Sequence, residues 1–312
     1  MVLAMRAMVL AMKILDTVGA TPLIELESGV DAPDVRLFAK LEGNNPGGSV
    51  KDRPARAMIL GAEARGELRP GTRLIEATSG NTGIALAMIA AARGYGLTLV
   101  MPENATAERV QIMRAYGAEV VLTPETGGME ATIDYARAKV AGGGYFMLDQ
   151  FANPDNWRAH YDTTGPELWR DTDGAITHFV SAMGTTGTIM GVSRFLKERR
   201  GDVTIVGCQP TDGSSIPGIR RWPAEYVPKI FERARVDRVI DVAQRDAERT
   251  ARSLAREEAL FSGPSSGGAV WAARVVCGEL AAAGKPGVVA CIVCDRGDRY
   301  VSSPLFAGGS DG

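Results

Sequence analysis

Hydrophobic runs alternate with polar, glycine-rich turns along the chain, and each run has the length of a strand or of an apolar helix. Short aliphatic runs bounded by turn residues predict strands. These strands fall at 35–41, 73–77, 97–101, 118–122, 145–148, 177–182, 203–208 and 288–294. Longer stretches with apolar residues at helical spacing predict helices between them. The helices fall at about 54–65, 84–92, 105–116, 129–140, from 153 onwards, and at 189–197, 242–259 and 269–282.

This alternation of strands and helices at short spacing is typical of parallel sheets covered by helices. The sequence therefore predicts an α/β protein, most simply two α/β units with a break near residue 150. A turn-rich segment at 211–228 contains no predicted element. Loops of that length usually serve a function, so we expect this one to border a site.

The composition is that of an ordinary globular protein and narrows the classes of function. The chain has 312 residues, 45% of them hydrophobic and 23% charged, with a net charge of −2. This balance gives no electrostatic basis for binding nucleic acid or a membrane surface. Residues 1–12 are mostly apolar but are interrupted by Arg6, and they are too short for a membrane span, which needs roughly 20 residues. We interpret residues 1–12 as a disordered leader.

The cysteines argue against both a disulfide framework and a metal site. Four cysteines are too few for a disulfide scaffold, so a reducing cytoplasm is the expected location. Cys291 and Cys294 form a C-x-x-C pattern inside a predicted strand. Residues three apart in a strand point to opposite faces, so we predict no bound metal.

The first candidate for chemistry is Lys51, which follows the turn Asn44-Asn45-Pro46-Gly47-Gly48 and precedes a helix. Pro54 fits only in the first turn of that helix, and Asp52 is the expected N-cap. The partial positive charge of the helix N-terminus disfavours a second cation there. It therefore favours the neutral amine that forms Schiff bases.

Two further loops lie between a predicted strand and a predicted helix, where a helix N-terminus attracts anions. The 184–188 loop, Gly-Thr-Thr-Gly-Thr, offers backbone N–H groups and hydroxyls to a phosphate, and it matches neither the ATP nor the NAD glycine motif. The 78–82 loop, Thr-Ser-Gly-Asn-Thr, suits a small carboxylate. Either loop alone could equally be a structural turn.

A serine-hydrolase motif also occurs, but its partners do not follow. Gly263-Pro264-Ser265-Ser266-Gly267 matches the G-x-S-x-G nucleophile elbow, which requires a later histidine. The only histidines, His160 and His178, precede it. We therefore exclude hydrolysis by this serine.

Taken together, these motifs resemble the pyridoxal-phosphate enzymes of the cysteine synthase group, a family of fold type II with the tryptophan synthase β-like architecture. Four segments carry the resemblance in the family's order, across about residues 16–305. They are 46–53 around Lys51, 78–83, 184–188 and 265–268. The sequences Ile219-Arg220-Arg221-Trp222-Pro223 and Cys294-Asp295-Arg296-Gly297-Asp298-Arg299-Tyr300 most resemble the group's B type.

The resemblance implies roles for the candidate residues. Lys51 would hold pyridoxal 5'-phosphate as a Schiff base and act as the catalytic base. The cofactor's ring oxygen, ring nitrogen and phosphate would meet Asn81, Ser265 and the loop residues Gly184, Thr185, Thr186, Gly187 and Thr188. The substrate would bind at Thr78, Ser79, Gly80, Thr82 and Gln150. Arg220 and Cys294 would lie near the sulfur donor.

The implied reaction is a β-replacement. O-acetyl-L-serine would lose acetate to give an aminoacrylate, and sulfide or thiosulfate would add to give L-cysteine or S-sulfo-L-cysteine. The resemblance also implies a homodimer, a smaller mobile domain of residues 13–20 and 44–152, and a larger domain of residues 21–43 and 153–306. Two other hypotheses stay open, a serine or threonine dehydratase that uses the same cofactor and a Rossmann-like binding module without activity.

Overall fold

The computed structural model describes residues 12–30, 32–78 and 80–306. Of the predicted leader, residues 1–11 lie outside these ranges. The described part of the chain contains ten strands and nine α-helices. The strands are β1 Leu23–Leu26, β2 Val35–Leu41, β3 Arg73–Ala77, β4 Gly96–Pro102, β5 Glu119–Thr123, β6 Phe146–Met147, β7 His178–Ala182, β8 Thr204–Pro210, β9 Arg238–Val242 and β10 Gly287–Val293. The helices are α1 Asp52–Ala64, α2 Asn81–Arg93, α3 Ala107–Ala115, α4 Gly128–Ala141, α5 Pro154–Ala159, α6 Gly165–Asp171, α7 Gly187–Arg199, α8 Gln244–Glu257 and α9 Pro264–Ala282.

The strands form two sheets. The smaller sheet has the order β5-β4-β3-β6, and all its neighbours are parallel. The larger sheet has the order β1-β2-β10-β7-β8-β9 and is parallel except for the β1–β2 pair. The predicted α/β class with two parallel sheets is therefore confirmed, with one antiparallel edge strand.

The larger sheet draws strands from both sides of the smaller one in sequence. β1 and β2 precede Lys51, yet β2 pairs with β10 over its whole length, from Val35 opposite Gly287 to Leu41 opposite Val293. The smaller sheet takes its strands from residues 73–147 only. The predicted domain boundaries and the mobility of the smaller domain stay predictions.

Each sheet is covered by apolar side chains on both faces, as parallel sheets require. On the larger sheet, Val180 packs in one core cluster with α8 and α9, while its neighbour Phe179 packs in another cluster with α7. Cys291 belongs to the first cluster and Cys294 to the second. The two cysteines thus lie on opposite sides of the sheet. Among the described residues, no group of His, Cys, Asp and Glu could hold a metal ion, and no helix is long and apolar enough to cross a membrane.

The hydrophobic pattern missed two strands, β1 and β9, both at the edges of the larger sheet. Edge strands commonly carry charged side chains. In β9, Arg238 and Asp241 are exposed, and Asp241 bonds with Gln209 and Arg221. The predicted helix from 242 was therefore too long, since Val242 ends β9 and α8 begins at Gln244.

Helix α9 begins five residues earlier than predicted, at Pro264 instead of Ala269. Proline is favourable in the first turn of a helix, where its missing N–H has no intrahelical partner. Gly267 and Gly268 lie inside the helix because α8 packs closely there. A methyl group at Gly267 would overlap the carbonyl oxygen of Ala247. Ser265 is therefore a first-turn residue of α9 and not a loop residue.

The N-cap prediction at Asp52 is also wrong. Asp52 is the first residue of α1, and Lys51 occupies the N-cap position. The Asp52 carboxylate instead accepts the N–H of Gly47 at 2.5 Å, which closes the turn before the lysine. Burial raises the pKa of Asp52 to about 7, although this hydrogen bond lowers it.

A buried ion cluster fastens the start of α1 to the larger sheet. Arg53, two residues after Lys51, pairs with Glu42 at 2.7 Å and with Glu167 at 2.7 Å. Lys40, fully buried on β2, pairs with Glu167 at 2.9 Å and Asp171 at 3.0 Å. Burial alone would raise the pKa of Glu167, but hydrogen bonds and charge from Arg53 and Lys40 lower it to about 2. The cluster therefore holds the backbone that carries Lys51.

Candidate active site

A cavity of about 520 Å³ lies where the carboxyl ends of both sheets' strands meet. Ends of parallel strands are where α/β folds bind ligands. Six of the residues predicted to bind a cofactor line it, namely Lys51, Asn81, Gly184, Thr185, Thr188 and Ser265. Four of the predicted substrate residues also line it, namely Thr82, Gln150, Arg220 and Cys294. Residues from seven separate segments thus share one cavity.

The other predicted residues are placed differently. Thr78, Gly80, Thr186 and Gly187 do not border the cavity directly. Ser79 lies outside the described residues. The roles assigned to all of these residues stay predictions.

Lys51 enters the cavity from the N-cap position of α1. Its backbone N–H donates to Ser49 Oγ at 3.2 Å, and the neighbouring N–H of Val50 donates to the Cys294 carbonyl at 2.8 Å. These bonds join the lysine turn to the end of β10. Lys51 is half-buried and lines the cavity, so it is accessible from the cavity and partly shielded from bulk water.

The 184–188 loop presents a helix N-terminus with open donors. Thr186 has the left-handed φ of 68° and forms the N-cap of α7, a helix of 13 residues. The first turn of a helix leaves its N–H groups without intrahelical acceptors. Thr186 Oγ1 is buried and has no hydrogen-bond partner within the described residues. These features suit an anion.

Close packing behind this loop explains its two glycines. A methyl group at Gly187 would overlap Asn156 Oδ1, and one at Gly184 would lie 2.8 Å from the Gly218 carbonyl oxygen. Asn156 donates to the Gln150 carbonyl at 2.6 Å and to Thr185 Oγ1 at 3.3 Å. The loop therefore packs directly against the segment that carries Gln150.

His160 supports the same loop from behind. Its ring bonds with Thr164 Oγ1 at 2.8 Å and with Thr188 Oγ1 at 3.3 Å. Burial, together with the charges of Arg53 and Lys51, holds the pKa of His160 well below its usual value. A neutral imidazole therefore contacts Thr188.

Most of the described polar groups of the 78–82 loop are hydrogen-bonded to other groups of the protein. The Thr78 hydroxyl is buried and accepts the N–H groups of Gly80 at 3.0 Å and Gly83 at 3.1 Å. Thr82 Oγ1 donates to Gln150 Oε1 at 2.8 Å, and Gln150 Nε2 donates to the Ala77 carbonyl at 2.7 Å. Internal bonds therefore fix the shape of this loop.

Glu76 supports Gln150 from beneath the loop. Its carboxylate accepts the N–H groups of Asp149 at 3.0 Å and Gln150 at 3.3 Å. Burial, and then the charge of Asp149, raise the pKa of Glu76 to about 8. The sequence did not indicate a role for Glu76, because a glutamate inside a predicted apolar strand belongs to no recognisable motif.

Ser265 and Cys294 lie side by side on the larger-sheet wall of the cavity. The Cys294 thiol donates to the Ile292 carbonyl at 3.8 Å, and burial raises the pKa of the thiol to about 11. At neutral pH Cys294 is therefore a thiol and not a thiolate. This favours a role in lining the cavity over a role as a nucleophile.

Arg220 lies on the long loop that the sequence singled out, and this loop closes the cavity. The Arg220 guanidinium lies 5.5 Å from the Trp222 ring centre, and its backbone N–H donates to the Met183 carbonyl at 2.8 Å. Trp222 Nε1 donates to the Gly184 carbonyl at 2.8 Å. Arg220 is thus held next to the 184–188 loop. Arg221 also lines the cavity, but its guanidinium pairs with Asp241 at 2.7 Å.

Sequence reasoning missed several residues of the cavity wall. Arg109 and Tyr300 both line it, with the guanidinium of Arg109 4.7 Å from the Tyr300 ring centre. Tyr300 belongs to a segment that the resemblance had already singled out. Arg109 lies within α3 and carried no signal beyond a helical pattern.

The residues present fit pyridoxal phosphate. The open N-terminus of α7 and the Thr185 and Thr188 hydroxyls at the cavity wall match a phosphate group. Between them, Thr186 adds a buried hydroxyl that has no partner in the described residues. Lys51 supplies an amine for the cofactor's aldehyde in the same cavity. Ser265 supplies an uncharged hydroxyl for a ring nitrogen.

Comparison with known proteins agrees with this fit. A family model described as "Pyridoxal-phosphate dependent enzyme" matches residues 14–295, and the chain belongs to this family. Pyridoxal phosphate is accordingly its cofactor, as the resemblance implied.

The chain is 58% identical to cysteine synthase B of Pseudomonas aeruginosa, over 94% of this chain and 97% of that protein. It is also 58% identical to cysteine synthase B of Escherichia coli K12, over 93% of this chain and 94% of that protein. The crystal structure of a cysteine synthase from Entamoeba histolytica superposes with a TM-score of 0.89 at 35% identity, covering 100% of this chain and 95% of that one. The predicted resemblance to B-type cysteine synthases and fold type II is confirmed.

Proposed function

We propose that this protein is a transferase that converts O-acetyl-L-serine and sulfide to L-cysteine and acetate. One observation carries the proposal: Lys51, the open N-terminus of α7 and the Thr82–Gln150 pair border a single cavity. Identity of 58% to proteins named cysteine synthase B supports this substrate pair over a dehydratase or an inactive binding module.

The chemistry divides between the cofactor and the side chains. Pyridoxal phosphate supplies an electron sink that stabilises negative charge at the substrate's α carbon. Lys51 holds the cofactor until substrate arrives, and its freed Nζ then accepts the α proton. The bond from the β carbon to acetate breaks, a bond from the β carbon to sulfur forms, and Lys51 returns the proton to the α carbon.

The remaining residues position the substrate. The N-terminus of α2 would bind its carboxylate through N–H groups at a positive helix end. Gln150, held by Thr82, would add the Nε2 hydrogen that the Ala77 carbonyl does not use. The uncharged Ser265 hydroxyl would leave the ring nitrogen of the cofactor largely unprotonated. A weaker electron sink favours elimination of a good leaving group such as acetate over transamination.

A product assay tests this function. The holoenzyme is mixed with O-acetyl-L-serine and sulfide, and acetate and cysteine are measured together. We expect equal amounts of both with sulfide and little pyruvate without it. Pyruvate as the main product without sulfide would instead indicate a dehydratase. Lys51→Ala should abolish both turnover and the cofactor absorption of the lysine-bound form, and retained turnover would refute its assignment.

Thiosulfate is a second proposed sulfur donor, with S-sulfo-L-cysteine as the product. Arg220 borders the cavity, is half-buried and is held beside Trp222, and a guanidinium there can bind an oxyanion through paired hydrogen bonds. We expect Arg220→Ala to lower kcat/KM for thiosulfate by about tenfold or more, the loss typical of a charged hydrogen bond, with little change for sulfide. Arg221→Ala is the matched control, because Arg221 pairs with Asp241. Equal losses for both donors would contradict the proposal.

We also propose that the enzyme works as a homodimer in the cytoplasm. The relatives' names do not state either property, and the support is the family resemblance of the sequence together with its four cysteines, which are all free thiols. Light scattering after gel filtration measures the mass of the assembly, and a monomer would refute the dimer.

A further inference from the structure

The side-chain amide of Asn81 is held from both ends by one short segment of the chain. Asn81 Nδ2 donates to Asp295 Oδ2 at 2.6 Å. Its Oδ1 accepts from Arg299 Nη1 at 2.7 Å. Both partners follow β10, more than 200 residues further along the sequence. The sequence predicted that Asn81 meets the cofactor. The structure shows that its amide already has two hydrogen-bond partners within the protein.

These two partners allow only one orientation of the amide. A carboxylate can only accept hydrogen bonds, and a guanidinium can only donate them. If the amide were rotated by 180°, its oxygen would face Asp295 and its NH₂ group would face Arg299. Both contacts would then be repulsive. The amide nitrogen has two hydrogens, so one remains after Asp295 is satisfied, and Asn81 borders the cavity.

Asp295 and Arg299 are themselves fixed. Their exposed fractions are 1% and 2%. The same oxygen of Asp295 accepts the hydroxyl of buried Tyr300 at 2.7 Å. Arg299 also donates to the carbonyl of Gly47 in the turn before Lys51. One arginine therefore bonds both to Asn81 and to the turn that precedes the catalytic lysine.

We propose that Asp295 and Arg299 are positioning residues that aim the second Nδ2–H of Asn81 at the ring oxygen of pyridoxal phosphate and fix its distance from Lys51. The ring oxygen lies beside the carbon to which the lysine binds, so its hydrogen bond depends on the relative placement of Asn81 and Lys51. This proposal rests on the cofactor of the family and does not depend on the identity of the substrate.

Cofactor binding measures this role without turnover. The apoprotein is titrated with pyridoxal phosphate, and the dissociation constant and the absorption maximum of the bound cofactor are recorded. We expect Arg299→Met to weaken binding about tenfold, as for loss of a charged hydrogen bond, and to shift the absorption maximum. Arg299→Lys retains a cationic donor and should restore part of both. Wild-type affinity and spectrum in Arg299→Met would overturn the proposal.

A matched control separates positioning from simple support of the segment. Glu108 on α3 bonds with the N–H and hydroxyl of Ser302 at 2.9 and 2.7 Å, so it holds the same segment without contacting Asn81. Glu108→Gln should leave the cofactor's dissociation constant and spectrum unchanged. If it reproduced the effect of Arg299→Met, Arg299 would have only a structural role.

The deciding experiment is a double-mutant cycle with Asn81→Ala. If Arg299 acts through Asn81, Arg299→Met should cause little further loss of affinity once the amide is gone. The same additional loss in both backgrounds would refute the proposal. Melting of each apoprotein checks folding. If Arg299→Met does not fold, Asp295→Asn takes its place in the cycle with the same two outcomes, because it preserves shape and removes the charge that selects the amide orientation.

Discussion

Two loops of this protein have nearly the same local design, but among the described residues only one of them contains a buried hydroxyl without a partner. The 78–82 loop joins β3 to α2, and the 184–188 loop joins β7 to α7. In the first, the hydroxyl of Thr78 and the amide of Asn81 are bonded to other parts of the protein. In the second, Thr186 Oγ1 is buried without a partner within the described residues.

This difference shows that a strand–loop–helix motif rich in Thr, Gly and Asn does not by itself determine a binding site. A loop with internally bonded groups has a fixed shape, which suits the orientation of a substrate or a ring. A loop with unbonded donors at a helix N-terminus suits an anion that supplies the missing acceptors. We therefore expect substitutions in the two loops to act on different quantities.

The largest effect is expected at Gly187. Gly187→Ala places a methyl group on Asn156 Oδ1, so either the 184–188 loop or the Gln150 segment has to shift. A displacement of the phosphate site should weaken pyridoxal phosphate binding by about 100-fold or more, since several charged hydrogen bonds are lost together. Titration of the apoprotein with the cofactor measures this loss.

The control for this prediction is Gly201→Ala, just beyond the other end of α7. No atom lies within 4 Å of the added methyl group there. We expect its affinity for the cofactor to equal that of the wild type. If Gly187→Ala also binds normally, the 184–188 loop is not the phosphate site.

Thr78→Val tests the loop whose groups are bonded internally. The substitution preserves shape but leaves the N–H groups of Gly80 and Gly83 without their acceptor. The free energy of unfolding of the apoprotein should fall by about 1–3 kcal/mol, the usual penalty for an unsatisfied buried group. Denaturant titration measures it. Cofactor affinity should change little, and a large loss of affinity with unchanged stability would reverse the assignment.

Thr186→Val is the matching test in the other loop. Valine and threonine have the same shape, and both are β-branched, so the strain of the left-handed φ of 68° stays the same. Removal of a buried hydroxyl that has no partner should leave the apoprotein as stable as the wild type or slightly more stable. Affinity for pyridoxal phosphate should fall by about tenfold, with inorganic phosphate as a competing ligand. Unchanged affinity would show that this hydroxyl does not meet the phosphate.

Much of this site could be predicted from the sequence because its parts are local motifs. The turn before Lys51, the 78–82 and 184–188 loops and the 265–268 segment each contain their own signals within a few residues. Eight of the ten strands were also predicted, since each contains a short aliphatic run. β1 and β9 were missed, because Glu25 and Asp241 interrupt their short apolar runs.

The remaining features depend on contacts between residues distant in sequence. The bonds from Asp295 and Arg299 to Asn81 join positions more than 200 residues apart. Nothing near Asn81 indicates that its amide is engaged. The buried pair of Arg53 and Glu167 is also invisible locally, because each charge is explained only by the other. The state of a polar group in a site follows from tertiary structure, whereas its presence follows from the motif.

The last expected effect is a difference in pH dependence between the two loops. Glu76 beneath the 78–82 side has a pKa raised to about 8 from 4.5, whereas the pKa of His160 behind the 184–188 loop is held well below its usual value. Between pH 4.5 and 8 the folded protein keeps a proton on Glu76 that the unfolded chain releases. Stability therefore falls as pH rises, by at most about 1.4 kcal/mol per pH unit.

Glu76→Gln keeps a neutral acceptor for the N–H of Gln150 and should flatten this part of the curve, so that the variant gains stability relative to the wild type towards pH 8. Unfolding of both apoproteins by denaturant across pH 5–9 measures the difference, and parallel curves would show that Glu76 does not titrate in this range.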